Sequence, residues 1–201
     1  MECAAKHEGI VARIVLKRLF DIAVSAVLLL VAAPLLAVVA SVIKASSPGP
    51  VLYCSQRVGK DNRLFTMYKF RTMRMDTPQV ATHLLQEPQR YLVPLGGLLR
   101  RTSLDELPQL INILKGDMSL VGPRPALFNQ HDLVALRTER GVHRVTPGLT
   151  GWAQVNGRDE LPIPLKVQLD LDYCRRRGLM FDLRILFLTA QNALTGRDVS
   201  H

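Results

Sequence analysis

The hydrophobic pattern of the chain is dominated by one long apolar run near its N-terminus. Residues 22–43 contain 22 consecutive positions without a charged side chain, and no other uncharged run in the sequence is as long. As an α-helix this run would be about 33 Å long, enough to cross the hydrocarbon core of a bilayer. It is too long for a secretory signal peptide, and no small-residue cleavage site follows it. The pattern predicts a membrane helix.

Two features leave the path of this helix open. Pro34 lies in the middle of the run, where a proline removes a hydrogen bond and bends a helix. Basic residues flank the run on both sides: Arg13, Lys17 and Arg18 before it, and Lys44, Arg57, Lys60 and Arg63 after it. A spanning helix normally has its basic residues concentrated on the cytoplasmic side. The pattern therefore fits either a bent helix that enters and leaves one leaflet or an ordinary span with a tolerated proline.

Downstream of this run the sequence predicts a smaller folded region. A cluster of helix-breaking residues at 46–50 closes the membrane segment. Residues 51–56 and 64–70 are strand-like and surround the turn residues 59–62, which predicts a hairpin. Residues 126–140 form an amphipathic helical pattern that ends before Gly141.

Two later segments have less regular patterns. Residues 165–173 alternate between apolar and polar positions, which is typical of a strand. Residues 181–194 are strongly apolar and predict a helix that lies either in the core or in the membrane surface. Residues 146–158 form a glycine-rich loop, a type of segment that lets backbone amides approach phosphate.

Two adjacent carboxylates, Asp105 and Glu106, lie at the start of an apolar helical pattern. Ser103 and Glu106 have the spacing of a capping box, so the pair could serve only to cap a helix. Pro108 fits the first turn of a helix, which places the start of the regular helix near it. Alternatively, the field of the helix N-terminus would keep Asp105 ionised and attract phosphate. An ionised aspartate can attack phosphorus and form an acyl phosphate, so these residues alone permit both interpretations.

Composition narrows the class of protein only moderately. A chain of 201 residues is long enough for one domain with an appendage, which we divide into residues 1–46 and 47–201. The net charge of +9 is compatible with nucleic acid, anionic lipid or a phosphorylated substrate. An aromatic content of 5% is low for a protein that stacks on single-stranded nucleic acid. Three widely spaced cysteines indicate a reducing compartment rather than a disulfide framework or a zinc site.

Several short motifs occur along the chain in a characteristic order. They are Lys17-Arg18-Leu19-Phe20-Asp21, Lys69-Phe70-Arg71-Thr72-Met73, the segment 102–109, Lys115-Gly116-Asp117-Met118-Ser119, Gly122-Pro123-Arg124-Pro125, and the segment 147–158. Together they resemble the bacterial sugar transferase family, in particular its small monotopic polyprenyl-phosphate phosphoglycosyl transferases. The resemblance covers roughly residues 14–195, judged from the placement of the motifs.

The resemblance implies a reaction, a cofactor and a site. A phosphosugar would move from a UDP-sugar to undecaprenyl phosphate and release UMP, with Mg²⁺ required. Asp105 corresponds to the family's nucleophile, and Glu106 to its partner carboxylate in metal or proton handling. The candidate phosphate and nucleotide contacts are polar or basic residues: Lys69, Arg71, Arg100, Arg124, Gln154, Asn156 and Arg158. Of these, Arg124 is held between two prolines, which suits clamping of a phosphate.

The resemblance also implies a fold and a location. We expect an α+β, mainly helical protein with a re-entrant membrane helix kinked at Pro34, a small hairpin, and surface-lying amphipathic helices around one catalytic domain. That domain would lie on the cytoplasmic face of the bacterial inner membrane, in contact with membrane lipids, without nucleic acid and with a homo-oligomer as an option. The sequence departs from many relatives at Ala33, where they have serine, and in the strand-like pattern of residues 165–173, where they are helical.

Two other functions compete with the covalent mechanism. In the first, polyprenyl phosphate attacks the UDP-sugar directly in a ternary complex, and the carboxylates only hold metal; a covalent intermediate would instead give ping-pong kinetics. In the second, the chain is a membrane-anchored scaffold that binds through its basic surface. A basic binding surface would gain nothing from adjacent acids beside Arg124, so this second alternative is disfavoured.

Overall fold

The computed structural model describes residues 2–77, 88–157 and 161–195. Most of these residues are helical, and the strands form two small sheets, which agrees with the predicted mainly helical α+β class. The helices are α1 (Glu2–Ser46), α2 (Gly96–Arg101), α3 (Gln109–Lys115), α4 (His131–Glu139), α5 (Trp152–Val155), α6 (Ile163–Arg176) and α7 (Leu179–Thr195). The strands are β1 (Leu52–Val58), β2 (Leu64–Phe70), β3 (Ser119–Val121), β4 (Ala126–Leu127) and β5 (Gly148–Thr150).

The long helix α1 contains the apolar run. Its segment Ile14–Ser46 is long and apolar enough to cross a membrane, judged by length and composition. The helix continues through Pro34, so the proline does not end it, and the bend expected there stays a prediction. Close to the proline the side chains of Leu30 and Val31 are 78% and 74% exposed. The middle of α1 therefore presents apolar surface that the other described residues do not cover.

Both ends of α1 contact the domain that follows it. Towards the N-terminal end, Arg18 donates hydrogen bonds to the carbonyl oxygens of Ile113 and Leu114, at 2.6 and 2.9 Å, and so caps the C-terminus of α3. Towards the C-terminal end, Ile43 is buried against Phe70 and Leu99. The helix thus packs on the same domain with its two arms and leaves its centre exposed.

A buried polar cluster fastens the N-terminal arm of α1. The Asp21 carboxylate accepts hydrogen bonds from the Ser119 hydroxyl at 2.8 Å and from the Leu120 amide at 3.3 Å. The Lys17 ammonium lies between Asp21 and Asp182, at 3.1 and 2.9 Å. Buried carboxylates are costly unless they are paired or hydrogen-bonded. The basic motif before the apolar run therefore joins α1 to β3 and α7.

The predicted hairpin is confirmed. Strands β1 and β2 pair antiparallel from Leu52↔Phe70 to Val58↔Leu64, and β4 pairs with the other edge of β1. Strands β3 and β5 form a separate parallel pair. Because β4 joins the hairpin sheet, the helix predicted over residues 126–140 begins only at α4 and is shorter than expected.

The strand predicted over residues 165–173 is wrong, and the helix implied by the family resemblance is confirmed as α6. Its buried positions Val167, Asp170 and Tyr173 recur every three residues, whereas Leu165 is 47% exposed. Apolar residues at the odd-numbered positions produced the alternation, but a helix buries only those that face the core, here Val167 and Tyr173. Spacing of apolar residues over one short segment was therefore a misleading guide.

The main core lies between β2, α3, β3, α6 and α7. Leu110, Ile113, Met118 and Ile185 are almost fully buried in it. Burying a large aliphatic side chain stabilises a fold by about 1.5–3 kcal/mol. The predicted helix over residues 181–194 is confirmed as α7, which packs one face into this core and leaves Phe187 on its other face exposed. Because α3 is packed in this core, it fixes the position of the acidic turn just before it.

Candidate active site

The acidic pair lies in a short 3₁₀ turn, Leu104–Glu106, that precedes α3. The capping box predicted for Ser103 is wrong: Ser103 adopts a left-handed conformation with φ of 55°, and its side chain makes no cap hydrogen bond. The regular helix begins after Pro108, as its position predicted. The side chain of Glu106 is therefore not used for capping and is available for other contacts.

Glu106 is held by two cations from distant parts of the chain. Its Oε1 atom accepts a hydrogen bond from Lys69 Nζ at 2.6 Å and one from Arg124 Nη2 at 2.8 Å. Arg124 Nη1 lies farther from the second carboxylate oxygen, at 3.5 Å. Burial alone would raise the pKa of Glu106, but Arg124 and Lys69 together lower it well below its ordinary value. Glu106 is consequently a fixed anion that ties the hairpin, the acidic turn and the Pro123–Pro125 loop together.

Asp105 has the opposite environment. It is buried, and within the described ranges no side chain or backbone amide donates a hydrogen bond to its carboxylate. Burial raises its pKa above the ordinary value, the charge of Glu106 raises it further, and Lys69, Arg100 and Arg124 oppose the shift. Burial and the nearby cations thus act on the pKa of this carboxyl in opposite directions, a combination typical of functional sites. The pKa values of Asp105 and Glu106 are thus shifted in opposite directions.

The loop that presents Arg124 is supported from behind. Arg137 on α4 donates a hydrogen bond to the Arg124 carbonyl oxygen at 2.8 Å. Its guanidinium also donates to the buried Asp170 carboxylate on α6, at 2.6 and 2.9 Å. Arg57 donates to the neighbouring Pro125 carbonyl at 3.4 Å. These contacts fix the backbone of the loop, so that Arg124 approaches Glu106 from a defined direction.

The structure brings some of the predicted site residues together and gives others local contacts. Asp105, Glu106, Lys69 and Arg124 form one cluster, and Arg100 is close enough to affect the pKa of Asp105. Three further predicted residues have hydrogen bonds elsewhere: Arg71 donates to Ser47 and Pro48, Gln154 to the Leu149 carbonyl, and Asn156 to the Trp152 carbonyl. Arg158 lies outside the described residues. Phosphate or nucleotide binding by Arg71, Gln154, Asn156 and Arg158 stays a prediction.

Arg71 is the clearest example of a predicted phosphate-binding residue whose hydrogen bonds lie away from the acidic pair. It is 2% exposed, and its guanidinium holds the segment that leaves α1, donating to the Ser47 carbonyl at 2.9 Å and to the Ser47 hydroxyl at 2.8 Å. These contacts give the residue a structural role at the C-terminal end of α1. Lys69, two positions earlier and within β2, points instead to Glu106.

Sequence reasoning missed the polar residues that support the cluster. Arg137 and Asp170 lie on two helices 33 positions apart, and no local pattern links them. Asn112 did carry a signal: it is a polar residue inside the otherwise apolar segment 110–114, and it is fully buried. A buried amide must have specific partners. Such a residue can be recognised in the sequence, but its partners cannot.

The chain is similar in sequence to known sugar transferases. The family model described as bacterial sugar transferase matches residues 12–196. The chain is 44% identical over 193 residues to the undecaprenyl-phosphate glucose phosphotransferase of Komagataeibacter xylinus, a match covering 90% of this chain and 36% of that protein. It is 42% identical over 182 residues to the UDP-glucose:undecaprenyl-phosphate glucose-1-phosphate transferase of Escherichia coli (strain K12), covering 87% and 39% of the two chains.

A third relative has a similar length. The uncharacterized sugar transferase EpsL of Bacillus subtilis (strain 168) is 41% identical over 187 residues, which cover 92% of this chain and 90% of that protein. The chain belongs to the bacterial sugar transferase family. It spans less than two-fifths of the length of the K. xylinus and E. coli proteins, at 36% and 39%.

Proposed function

We propose that the chain transfers a phosphosugar from a UDP-sugar to undecaprenyl phosphate, giving undecaprenyl-diphospho-sugar and UMP. The names of the K. xylinus and E. coli relatives describe transfer of this kind to undecaprenyl phosphate. The observation that supports it best is the contrast within the acidic pair. Glu106 is neutralised by Lys69 and Arg124, whereas Asp105 beside it is buried without a described hydrogen-bond partner. That arrangement suits a nucleophile next to a fixed, cation-bound anion.

The chemistry proceeds in two displacements. A carboxylate oxygen of Asp105 attacks the sugar-bearing phosphorus of the UDP-sugar, the bond from that phosphorus to the bridging oxygen breaks, and UMP leaves with the electron pair. A phosphate oxygen of undecaprenyl phosphate then attacks the same phosphorus and releases the Asp105 carboxylate. Each displacement forms one phosphorus–oxygen bond and breaks one, so no net proton transfer is needed. A covalent intermediate of this kind predicts ping-pong kinetics, whereas direct attack in a ternary complex does not.

Cations around Asp105 make attack by an anion on a diphosphate feasible. Lys69 and Arg124 both donate to Oε1 of Glu106, and each lowers the pKa of Asp105 against the effect of burial. Preorganised positive charge stabilises the charge that develops on phosphoryl oxygens and on the leaving group. Arginine is suited to this because its planar fork matches phosphate geometry. Arg124 is therefore proposed to contact the diphosphate as well as Glu106.

The donor atoms at the acidic pair fit Mg²⁺. This ion prefers oxygen ligands and is usually held by one or two carboxylates together with substrate phosphates and water. Asp105 has an uncommitted carboxylate, and Glu106 has one oxygen with only a 3.5 Å contact to Arg124. Within the described residues no group of three or more metal-binding side chains occurs, so substrate phosphates would supply further ligands. Bound there, Mg²⁺ would neutralise charge on the diphosphate.

The proposed reaction is tested by measuring UMP release. Purified protein is incubated with Mg²⁺, undecaprenyl phosphate and each member of a panel of UDP-sugars, and we expect one or a few sugars to yield UMP. Omitting undecaprenyl phosphate should leave at most one equivalent of UMP per enzyme, because the acyl phosphate would have no acceptor. If no UDP-sugar releases UMP beyond background, the proposed reaction is wrong.

Replacing Lys69 with methionine is expected to move the acid limb of the pH–rate profile to higher pH. Asp105 must be ionised to attack, so activity is lost as the pH falls through its pKa. Burial already raises that pKa, and Lys69 is the cation that opposes the rise most strongly. Its removal should raise the pKa further. The pH dependence of UMP release is compared with that of Lys60→Met, an exposed residue in the hairpin turn; an unchanged acid limb in Lys69→Met would contradict the assignment.

We propose that α1 is re-entrant and that the domain lies on the cytoplasmic face of the bacterial inner membrane. The supporting observation is that both arms of α1 pack on the same domain, through Arg18 and Asp21 on one side and Ile43 on the other. A helix that crossed the bilayer would carry one of these arms to the opposite face. The exposed apolar centre around Pro34 would then dip into one leaflet, where the proline permits a bend.

The exposed face of α7 is proposed to rest on the membrane surface. Met180 and Phe187 are 79% and 69% exposed on this helix, while Phe181 and Ile185 on the opposite face are buried. An amphipathic helix of this kind lies in the plane of the interface. The adjacent basic segment 175–177 is not uniform, because Arg176 stacks over the Phe181 ring with its guanidinium carbon 4.3 Å from the ring centroid.

Replacing Arg175 and Arg177 together with glutamine should weaken activity on anionic vesicles about tenfold and leave activity in neutral detergent nearly unchanged. Basic residues near an anionic leaflet are attracted to it, and both residues are exposed. Arg176 is left intact because it packs on the core. The same charge change in Arg140→Gln with Arg144→Gln serves as control. Equal loss in vesicles and detergent would mean that the segment does not orient the domain.

A further inference from the structure

Asn112 lies in the middle of α3, six positions after Glu106, and is completely buried. Its side-chain oxygen accepts a hydrogen bond from the Tyr68 backbone amide at 3.0 Å. Its side-chain nitrogen donates to the Thr66 carbonyl oxygen at 2.7 Å. Both partners belong to β2, on the edge that faces away from β1. A helix residue therefore provides hydrogen bonds that a neighbouring strand would otherwise supply.

The pattern is that of a parallel β-bridge made by a side chain. In such a bridge one residue accepts from the amide of position n+1 and donates to the carbonyl of position n−1, and here the enclosed position is Met67. Met67 itself is buried in the core. The amide cannot slide by one residue without losing both bonds, since successive backbone groups of a strand point to opposite sides. Asn112 consequently fixes the register of β2 against α3.

The orientation of the Asn112 amide is itself determined by its surroundings. Its nitrogen also donates to Asp117 Oδ2 at 3.2 Å, and an ionised carboxylate can only accept. The Thr66 carbonyl likewise only accepts, and the Tyr68 amide only donates. All three partners require the same orientation of the Asn112 amide, so this side chain is held in one orientation and does not flip.

The Asn112 side chain links β2 and α3, the two elements that meet at the acidic pair. Lys69 follows Tyr68 directly on β2, and Glu106 precedes α3 by one turn. The contact between their side chains is short, at 2.6 Å, and joins partly buried groups. A lysine side chain has four rotatable carbons and does not hold a position by itself. The position of Lys69 is therefore set by the backbone that bears it.

We propose that Asn112 is a positioning residue for the transfer reaction, acting through β2 to hold Lys69 against Glu106. The inference rests on the proposed function for its effect on rate, but not for the geometry it describes. Among the described residues, the side-chain hydrogen bonds of Asn112 go to Thr66, Tyr68 and Asp117 and not to the acidic pair. Its effect on the reaction should accordingly depend on the presence of the Lys69 ammonium.

A double-mutant cycle tests this dependence. Asn112→Ala is expected to lower kcat for UMP release by about 10²-fold, with a much smaller change in KM for the UDP-sugar. In a Lys69→Met background the same change should have little further effect, because the group that Asn112 positions is already absent. Ile113→Val changes an adjacent buried side chain that makes no hydrogen bonds, and it should lower kcat slightly and by the same factor in both backgrounds. An equal loss of kcat from Asn112→Ala in both backgrounds would overturn the proposal.

A second measurement does not depend on activity. Lys69 is compared with the exposed Lys60 for competitive acetylation by acetic anhydride, read out by peptide mass spectrometry. We expect slow acetylation of Lys69 in the unaltered protein and in Ile113→Val, and several-fold faster acetylation in Asn112→Ala. If Asn112→Ala does not fold, Asn112→Ser takes its place in both measurements. Unchanged acetylation of Lys69 would overturn the proposal, whereas absent UMP release by the unaltered protein would overturn only the proposed function.

Discussion

Replacing Asp105 with asparagine is expected to lower UMP release by at least about 10⁴-fold, comparable to the loss of a nucleophile in other covalent enzymes. Asparagine keeps the size of the side chain and most of its hydrogen-bonding capacity. It has no negative charge and cannot form the acyl phosphate. The structure gives Asp105 no described hydrogen bond that the substitution would break. The loss should therefore appear in kcat, with the fold retained.

The same substitution should leave the protein as stable as before or more stable at neutral pH. Burial raises the pKa of Asp105 in the folded chain, so the unfolded chain ionises more readily. Above the ordinary pKa of an aspartate, ionisation of Asp105 therefore disfavours the folded state, and this cost persists at neutral pH. A neutral amide has no such cost. A gain in stability with a loss of activity is the signature of a residue kept for function.

Both effects are measured on one set of variants. Thermal unfolding and UMP release are compared for the unaltered protein, Asp105→Asn and Asp132→Asn, the last being the same change at an exposed site on α4. Asp132→Asn should retain both properties. Near-normal UMP release by Asp105→Asn would exclude the covalent mechanism, and a large drop in its unfolding temperature would show that Asp105 stabilises the fold.

Cysteines placed at the two ends of α1 are expected to react from the same side of the membrane. In a background lacking the native cysteines, Ala12→Cys and Ala45→Cys should both resist a membrane-impermeant maleimide in intact spheroplasts and react once the membrane is permeabilised. The reason is the double contact of α1 with the domain, through Arg18 and Asp21 near one end and Ile43 near the other. Labelling of Ala12→Cys in intact spheroplasts would demonstrate a spanning helix.

The contribution of Pro34 can be separated from that of the docking contacts. A proline inside a helix costs about 3 kcal/mol, whereas breaking a buried ionic cluster costs about 3–5 kcal/mol. Pro34→Ala alone should therefore leave both cysteines on the cytoplasmic side, since Asp21 and Lys17 still hold the N-terminal arm. Pro34→Ala combined with Asp21→Ala should allow part of the population to span. An unchanged labelling pattern in the double variant would show that the proline and this cluster do not set the topology.

The elements that could be predicted from the sequence are those whose signal is local. The apolar run of α1, the hairpin around residues 59–62 and the start of α3 near Pro108 depend on neighbouring residues and are confirmed. The elements that were mispredicted depend on distant partners. Residues 126–127 became a strand because β1 offered an edge, and α6 is a helix because the core lies on one of its sides.

The candidate site shows the same division. The two carboxylates and the rigid arginine loop were visible as motifs, and Lys69 and Arg124 do meet Glu106. Whether Ser103 and Glu106 formed a cap depended on whether Glu106 had a better partner. That partner comes from strand β2, 37 positions earlier in the chain. Arg71, two residues from Lys69, faces the end of α1 instead, and the sequence offers no means to tell the two apart.

The buried cluster around Asp21 also has a consequence for the order of events during synthesis. Ser119, which donates to Asp21, lies 98 positions later in the chain. At about 5–20 residues per second, the ribosome needs about 5–20 s to produce it after Asp21. During that interval Asp21 lacks Ser119 and Lys17 lacks Asp182, although Lys17 and Asp21 can already pair with each other. Charged side chains near the end of an apolar helix remain in the headgroup region of a membrane. Nascent chains arrested before Ser119 should therefore resist salt extraction from membranes, and their release would argue for post-translational insertion. With the proposed topology, the membrane would hold the first arm of α1 until the domain that binds this arm has been made.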